Sequence, residues 1–225
     1  MEFRHEWKHR LSLADALELR QRLSAVMYSD PHADANGGYH IRSLYFDDLR
    51  DTALREKLDG VSRREKFRIR YYNGDPSRMQ LEKKSKVGEL CNKQSVPITA
   101  REAQALLEGD WIWMKKDPSR PLVGELYRKM RGQGLRPKTI VDYDRIPFVF
   151  GPGNVRVTLD RNIRTGLHCV DFLNPACVTV PAGEPVILLE VKWDAYLPEI
   201  IRDAVQTPNR RASAFSKYAA CRIYG

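Results

Sequence analysis

No stretch of the 225-residue chain approaches the ~18 consecutive apolar residues that a membrane span needs; the longest apolar run lies near Val186 to Leu189. The opening Met1-Glu2-Phe3-Arg4-His5-Glu6 has no basic start followed by an apolar block. No secretory signal is therefore expected, and the expected compartment is the cytoplasm. Cysteine is scarce: Cys91, Cys169, Cys177 and Cys221 are scattered, with no C-x-x-C pair and no His at zinc-finger spacing. That excludes a zinc ribbon and predicts free thiols, with Cys169 and Cys177 the nearest pair should the compartment be oxidising. The phosphate-binding G-x-x-x-x-G-K-[ST] is also missing, and Gly132-Gln133-Gly134 lacks both a third glycine and a strand-to-helix setting. Apolar residues are not lacking: 42% of the chain is hydrophobic and 9% aromatic, enough for a core and too much for disorder. The length suits one domain spanning residues 1–225.

Charge is plentiful and unbalanced, with 38 Lys and Arg against 29 Asp and Glu, a net charge of +9. An excess of that size implies an anionic partner, whether nucleic acid, a membrane surface or a phosphate-rich small molecule. The positions of the cations along the chain discriminate better than their number. Helices are predicted from Ser12 to Val26, where Ser12 and Asp15 form a capping box, and from Asp48 to Leu58. A second capping box, Thr99 with Glu102, opens a helix that stops at Gly109, and Ser119-Arg120-Pro121 opens another that ends near Gly132. Two short helices are expected at 197–205 and 212–222.

Between the helices lie alternating segments whose polar side is charged. Glu2, Arg4, Glu6 and Lys8 oppose Phe3, His5 and Trp7; Lys66, Arg68 and Arg70 oppose Phe67, Ile69 and Tyr71. Gln80, Glu82, Lys84 and Lys86 share a face, Arg156, Thr158 and Asp160 another, and Glu190 and Lys192 another. With segments around Arg42 and Arg145, about seven strands are predicted, in an α+β chain without a βαβ rhythm. Charged alternation is the ordinary outcome for a sheet with one wet face. Here, however, the polar faces are dominated by Arg and Lys, and were the sheet to close on itself the cations would converge. Such a cluster is tolerable only if phosphates, with a divalent metal held by the interspersed carboxylates, neutralise it.

The pieces Phe3-Arg4-His5-Glu6-Trp7-Lys8, Arg42-Ser43-Leu44-Tyr45-Phe46-Asp47-Asp48, Lys66-Phe67-Arg68-Ile69-Arg70-Tyr71, Leu81-Glu82-Lys83-Lys84, Tyr143-Asp144-Arg145, Arg156-Val157-Thr158-Leu159-Asp160, Leu189-Glu190-Val191-Lys192-Trp193 and Phe215-Ser216-Lys217-Tyr218 occur in this order. In that order they resemble the VTC domain, the catalytic domain of the vacuolar transporter chaperone polyphosphate polymerases, within the triphosphate tunnel metalloenzyme superfamily. The resemblance implies a closed antiparallel β-barrel forming a tunnel, with flanking helices, that binds a nucleoside triphosphate such as ATP together with Mn²⁺ or Mg²⁺. It implies catalytic roles along the phosphate track for Lys8, Arg68, Arg70, Lys84, Arg145 and Arg156. It places Arg42, Lys93, Lys192, Ser216 and Lys217 in substrate binding, and Glu190 with Glu6 as metal ligands. One departure stands out: the related eukaryotic polymerases carry a basic residue two positions before the Ser, where this chain has Ala214, with Arg210 or Arg211 as the available substitutes.

The implied activity is transfer of the γ-phosphate of ATP to a growing inorganic polyphosphate chain; water as acceptor would make the same residues a triphosphatase. Phosphoryl transfer asks the protein mainly for positioning and charge neutralisation, which Arg, Lys and carboxylates supply. The competing class is a non-catalytic polyanion-binding module, suggested by the basic and aromatic texture of residues 66–72. Glu6 and Glu190 among the cations would repel a nucleic-acid backbone, so no nucleic-acid partner is expected. With no transmembrane segment in the chain, coupling to transport would require a separate membrane subunit. Other residues have plainer readings. Glu190 alone reads as an ion-pair partner of Lys192 or Arg156, Lys83, Lys84 and Lys86 as a solvated charge run, His5 and His9 as strand residues rather than a zinc pair, Asp48 as a helix cap, and Trp111 and Trp113 as packing residues.

Overall fold

A computed structural model describes residues 3–115, 117–208 and 211–223; Glu2, Arg210 and the side chain of Arg211, all singled out in the sequence, lie outside the described residues. The elements in chain order are β1 (His5–Leu11), α1 (Leu13–Val26), β2 (Tyr28–Ser29), β3 (Tyr39–Asp47), α2 (Thr52–Leu58), β4 (Arg63–Tyr72), β5 (Asp75–Val87) and β6 (Leu90–Ile98). There follow α3 (Ala100–Leu107), α4 (Ile112–Lys115), α5 (Pro121–Gly132), β7 (Arg136–Phe150), β8 (Val155–Thr165), β9 (Val180–Pro181), β10 (Ile187–Trp193), α6 (Glu199–Ala204), β11 (Arg211–Ala212) and α7 (Lys217–Arg222). Both predicted capping boxes form, Ser12 with Asp15 and Thr99 with Glu102. The last helix is shorter than its pattern suggests: Arg211 and Ala212 pair with β1, and the helix starts only after Ser216, whose hydroxyl accepts from the amide of Ala219 at 3.3 Å.

All strands pair antiparallel in one sheet of eleven, ordered β11-β1-β10-β8-β7-β3-β4-β5-β6, with β2 on β7 and β9 on β8. The chain is thus α+β. The closed barrel expected from the resemblance is not drawn by the strand ladders, which run in an open order. Among the described residues, the backbone pairing between the two ends of the sheet is a single bridge, Arg4 with Cys91, made by two hydrogen bonds of 2.9 and 3.1 Å. The β4–β5 hairpin turns on Asn73-Gly74, both at positive φ, the chemistry of a two-residue turn that matches strand twist. β6 is a strand the alternation did not predict; it follows β5 through a second two-residue turn at Gly88, also at positive φ.

Strand parity assigns the two faces. Phe67, Ile69, Tyr71 and Leu81 turn outward and pack under α3, α4 and α5 against Leu106, Met114, Leu126 and Met130. Val157, Leu159, Leu189 and Val191 turn outward under α1 and α6, meeting Leu19, Leu23 and Ile201. The large apolar faces therefore have helices to meet, which leaves the charged parity facing inward.

One anchor holds two helices to this frame. Asp47, 2% exposed, accepts from the amides of Ala53 and Leu54 at 2.9 and 3.1 Å and from the Tyr218 hydroxyl at 2.6 Å. Asp48 accepts from Thr52, so the Asp47-Asp48 pair serves the start of α2 and not a metal. Asp47→Ala is expected to destabilise the protein by about 2 kcal/mol, since an N-terminal cap and a charge-assisted hydrogen bond vanish together. Urea denaturation checks this, and a change below about 0.5 kcal/mol would remove the anchor role.

Candidate functional site

The inward faces enclose a cavity of about 760 Å³. Every site residue proposed from the sequence lines it except Arg42. β1 contributes Glu6 and Lys8, β4 Arg68 and Arg70, β5 Lys84, β6 Lys93, β7 Arg145, β8 Arg156, and β10 Glu190 and Lys192. Ser216 and Lys217 enter from the start of α7. The pairing register brings residues from both ends of the chain together, for Lys8 lies directly opposite Glu190 and Glu6 opposite Lys192.

Four carboxylates pair with most of this cation cluster, and a fifth, Asp30, takes Arg156. Glu190, 5% exposed, meets Lys217 at 3.0 Å and Lys8 at 3.2 Å through one oxygen, and Lys192 at 3.0 Å and Arg145 at 3.7 Å through the other. Burial pushes its carboxyl up, but these four cations outweigh burial and hold it well below the usual carboxylate range. Asp160, fully buried, takes a bidentate pair of 2.7 Å bonds from Arg145 and a third contact of 2.6 Å from Lys217. Glu82 binds Arg68 at 2.7 Å, Lys93 at 3.1 Å and Arg70 at 3.3 Å. Glu6 binds Lys84 at 2.9 Å and Lys192 at 3.4 Å. The partner of Glu190 expected from the sequence was Lys192 or Arg156; Lys192 is one, whereas Arg156 instead bonds Asp30 at 2.7 Å and the Tyr39 hydroxyl.

Three members of the site were missing from the sequence-based set. Asp160 and Glu82 share parity with Arg156 and Lys84, which is the signal that could have found them. Tyr143, 1% exposed, lines the cavity beneath Lys217 and Arg145, whose charged groups lie 4.7 and 5.4 Å from its ring centre. Burial raises its phenol, yet Arg145, Arg70, Arg68 and Lys217 together pull it down to about 8. A β-bulge opposite Tyr143, where Asn162 has positive φ, breaks the register between β7 and β8.

Arg42 is the correction. It sits on the outward parity of β3 with Leu44 and Phe46, and makes bonds of 2.9 and 3.0 Å to Asp142 and one of 2.9 Å to the Asn174 carbonyl. It is a structural ion pair under the 166–179 segment and does not reach the cavity.

A family model, described as VTC domain, matches residues 3–223. The chain belongs to the VTC domain family. No curated protein matches it in sequence. Among solved structures it is similar to the PH1012 protein of Pyrococcus horikoshii OT3, with 11% identity, coverage of 97% of this chain and 99% of that one, and a TM-score of 0.52. A Bacillus halodurans protein described as a candidate adenylate cyclase is 16% identical over 85% of this chain and 80% of its own, with a TM-score of 0.47. The first likeness concerns the fold alone.

In this VTC domain no three His, Cys, Asp or Glu side chains cluster as a metal cage among the described residues. The donor set nevertheless fits one kind of divalent ion. Mg²⁺-like ions are commonly held by one or two carboxylates and complete their shell with phosphate oxygens and water. Glu6 and Glu190 stand on the adjacent strands β1 and β10 and share Lys8 and Lys192 as ion-pair partners. Ala214, the departure noted in the sequence, lines the cavity. Cys169 and Cys177 are unbridged thiols with their sulfurs 3.1 Å apart. Among the described residues no helix is long and apolar enough to cross a membrane.

Proposed function

We propose that residues 1–225 act as one domain that transfers the γ-phosphate of ATP to the end of an inorganic polyphosphate chain, in the cytoplasm, with Mn²⁺ or Mg²⁺. The observation that carries this reading is the charge arrangement of the cavity: cations from nine elements converge on it, and the carboxylates paired with many of them are the protein's own. Phosphate oxygens entering the cavity can take over Lys8, Lys192 and Lys217 from Glu190, which frees that carboxylate for a cation brought with the substrate. Glu190 and Glu6 would hold the metal, which when bound neutralises charge on the transferred group. Arg68, Arg70 and Arg145 present guanidinium forks that match phosphate oxygens in pairs. Lys84, Lys93 and Arg156 would extend the phosphate track. Tyr143, with its phenol drawn into the physiological range, would donate to a phosphate oxygen.

The test is incubation of purified protein with γ-labelled ATP and Mn²⁺, with long-chain polyphosphate resolved from free phosphate on a gel. A ladder supports the polymerase, free phosphate alone replaces it with a triphosphatase, and binding without turnover replaces it with a binding module. Because the grip is on phosphates, base selectivity is expected to be loose, with rates for ATP, GTP and CTP within roughly tenfold of one another. A strong preference for a single base, read in the same assay, would count against a triphosphate-only grip.

A further inference from the structure

Residues 166–179, between β8 and β9, form the longest stretch without strand or helix among the described residues, yet they are fixed to the wall at three points. At the start, Gly166 sits so close to β7 that an added Cβ would lie 3.0 Å from Ile140 and 3.2 Å from the Cys169 carbonyl. The Cys169 amide closes this turn by donating to the Gly166 carbonyl at 2.8 Å. In the middle, Phe172 is wholly buried against Tyr71, with ring centres 4.8 Å apart, and its carbonyl accepts from the Tyr71 hydroxyl at 2.9 Å. Near the end, Arg42 donates to the carbonyls of Asn174 and Cys177 at 2.9 and 3.4 Å. All three anchors lie on the outer side of β3, β4 and β7, away from Arg68, Arg70 and Arg145 on the inner side.

This fastening sets two cysteines face to face. Cys169 and Cys177 come to a sulfur separation of 3.1 Å, so a disulfide of about 2.05 Å asks them to travel only about 1 Å. Both are half-buried and open to small reagents, whereas Cys91 and Cys221 are buried and donate to Glu6 and to the Arg164 carbonyl. No third His, Cys, Asp or Glu joins the pair in a metal-ligand group among the described residues. What two facing thiols without further ligands offer is oxidation to each other.

We infer that Cys169 and Cys177 are a redox modification site, a reversible disulfide that locks the 166–179 segment onto the outside of the wall. The oxidant is a low-molecular-weight disulfide such as glutathione disulfide. The thiolate of one cysteine attacks it and expels one glutathione; the other cysteine gives up its proton and displaces the second. The protein loses two electrons and two protons, and the oxidant leaves as two molecules of glutathione. Burial and the neighbouring thiol push Cys177 up to about 11, so little of it is thiolate at neutral pH and the exchange is expected to be slow. The site is independent of the reaction in the cavity and holds for a polymerase, a triphosphatase or a binding module alike.

The test treats the full chain with glutathione disulfide for several hours at mildly alkaline pH and digests it with trypsin. Both cysteines fall in one tryptic peptide, 165–192, while Cys91 and Cys221 fall in two others. The shared peptide is expected to lose two hydrogens and to resist alkylation, and to recover both properties on reduction with dithiothreitol. The oxidised protein is expected to melt about 5 °C above the reduced one, because the bond closes residues 169–177 into a loop in the unfolded chain. A Cys169→Ser/Cys177→Ser variant is expected to melt at the same temperature with and without the oxidant. Thiols still free after the treatment, a stable glutathione adduct on this peptide, or a bond to Cys91 or Cys221 would overturn the inference. So would an oxidised protein that melts at or below the reduced one.

Discussion

Arg145→Ala is expected to cost about 3–5 kcal/mol of folding stability, the largest effect of any single cavity substitution, because it strips the main partner from a carboxylate with no access to water. Asp160 is wholly buried and takes two of its three strong contacts from Arg145; the third, from Lys217, is shared with Glu190. Desolvation of Asp160 is therefore balanced mainly by one guanidinium, and alanine leaves that charge stranded. A second substitution separates this from simple loss of packing: Asp160→Asn in the Arg145→Ala background removes the stranded charge, and is expected to recover about half of the loss. Urea denaturation of the two variants decides the matter. A loss below about 1 kcal/mol would mean that water reaches the pair and screens it.

Glu190→Gln is expected to move two measurements in opposite directions. Metal-dependent turnover of ATP should fall by roughly 100-fold or more, because several kcal/mol of charge neutralisation goes with the carboxylate. Metal-free binding of tripolyphosphate should tighten, by roughly tenfold, because Lys8, Lys192, Lys217 and Arg145 no longer have to exchange a carboxylate for a phosphate. If binding and turnover both fell together, Glu190 would be a framework residue and not a competitor for the phosphate-binding cations. Arg68→Ala serves as the contrast. It removes a cation whose partner, Glu82, keeps Arg70 and Lys93, and binding and turnover should both decline.

Much of this site could be read from strand parity, and the exceptions have identifiable causes. β4 and β10 carry one apolar and one charged face, so Arg68, Arg70, Glu190 and Lys192 announce themselves by alternation. β3 does not alternate, for nearly all of it from Tyr39 to Asp47 is buried on both faces. Nothing in its pattern tells the side of Arg42 from the side of Tyr45, so the alternation that marks β4 and β10 is silent on whether Arg42 faces the cavity. β6 escapes notice because Asn92, Gln94 and Ser95 dilute its alternation and Pro97 argues against a strand, although the glycine at 88 was a usable turn signal. The helix assignments fared best at their starts, where Ser12 and Thr99 have local hydrogen-bonding chemistry. The end of the chain fared worst, since what stops α7 from beginning at Ala212 is a pairing with β1 from the opposite end of the sequence. Closure of the wall has no local signature at all.

The register of β1 also bears on how the protein comes into being. β1 is the first strand made, yet its neighbours β10 and β11 are among the last, so Glu6 and Lys8 wait for nearly the whole chain before meeting Glu190 and Lys192. Contacts so distant in sequence slow folding, because the loop they close must be ordered before any of their energy is returned. The same lacing ties the cavity to the end of the chain: a chain that stops short of Ile187 lacks β10 and β11, so its cations lack Glu190 and its first strand lacks both ladder partners. A chain still in synthesis therefore holds most of its cations in place before Glu190 exists to meet them.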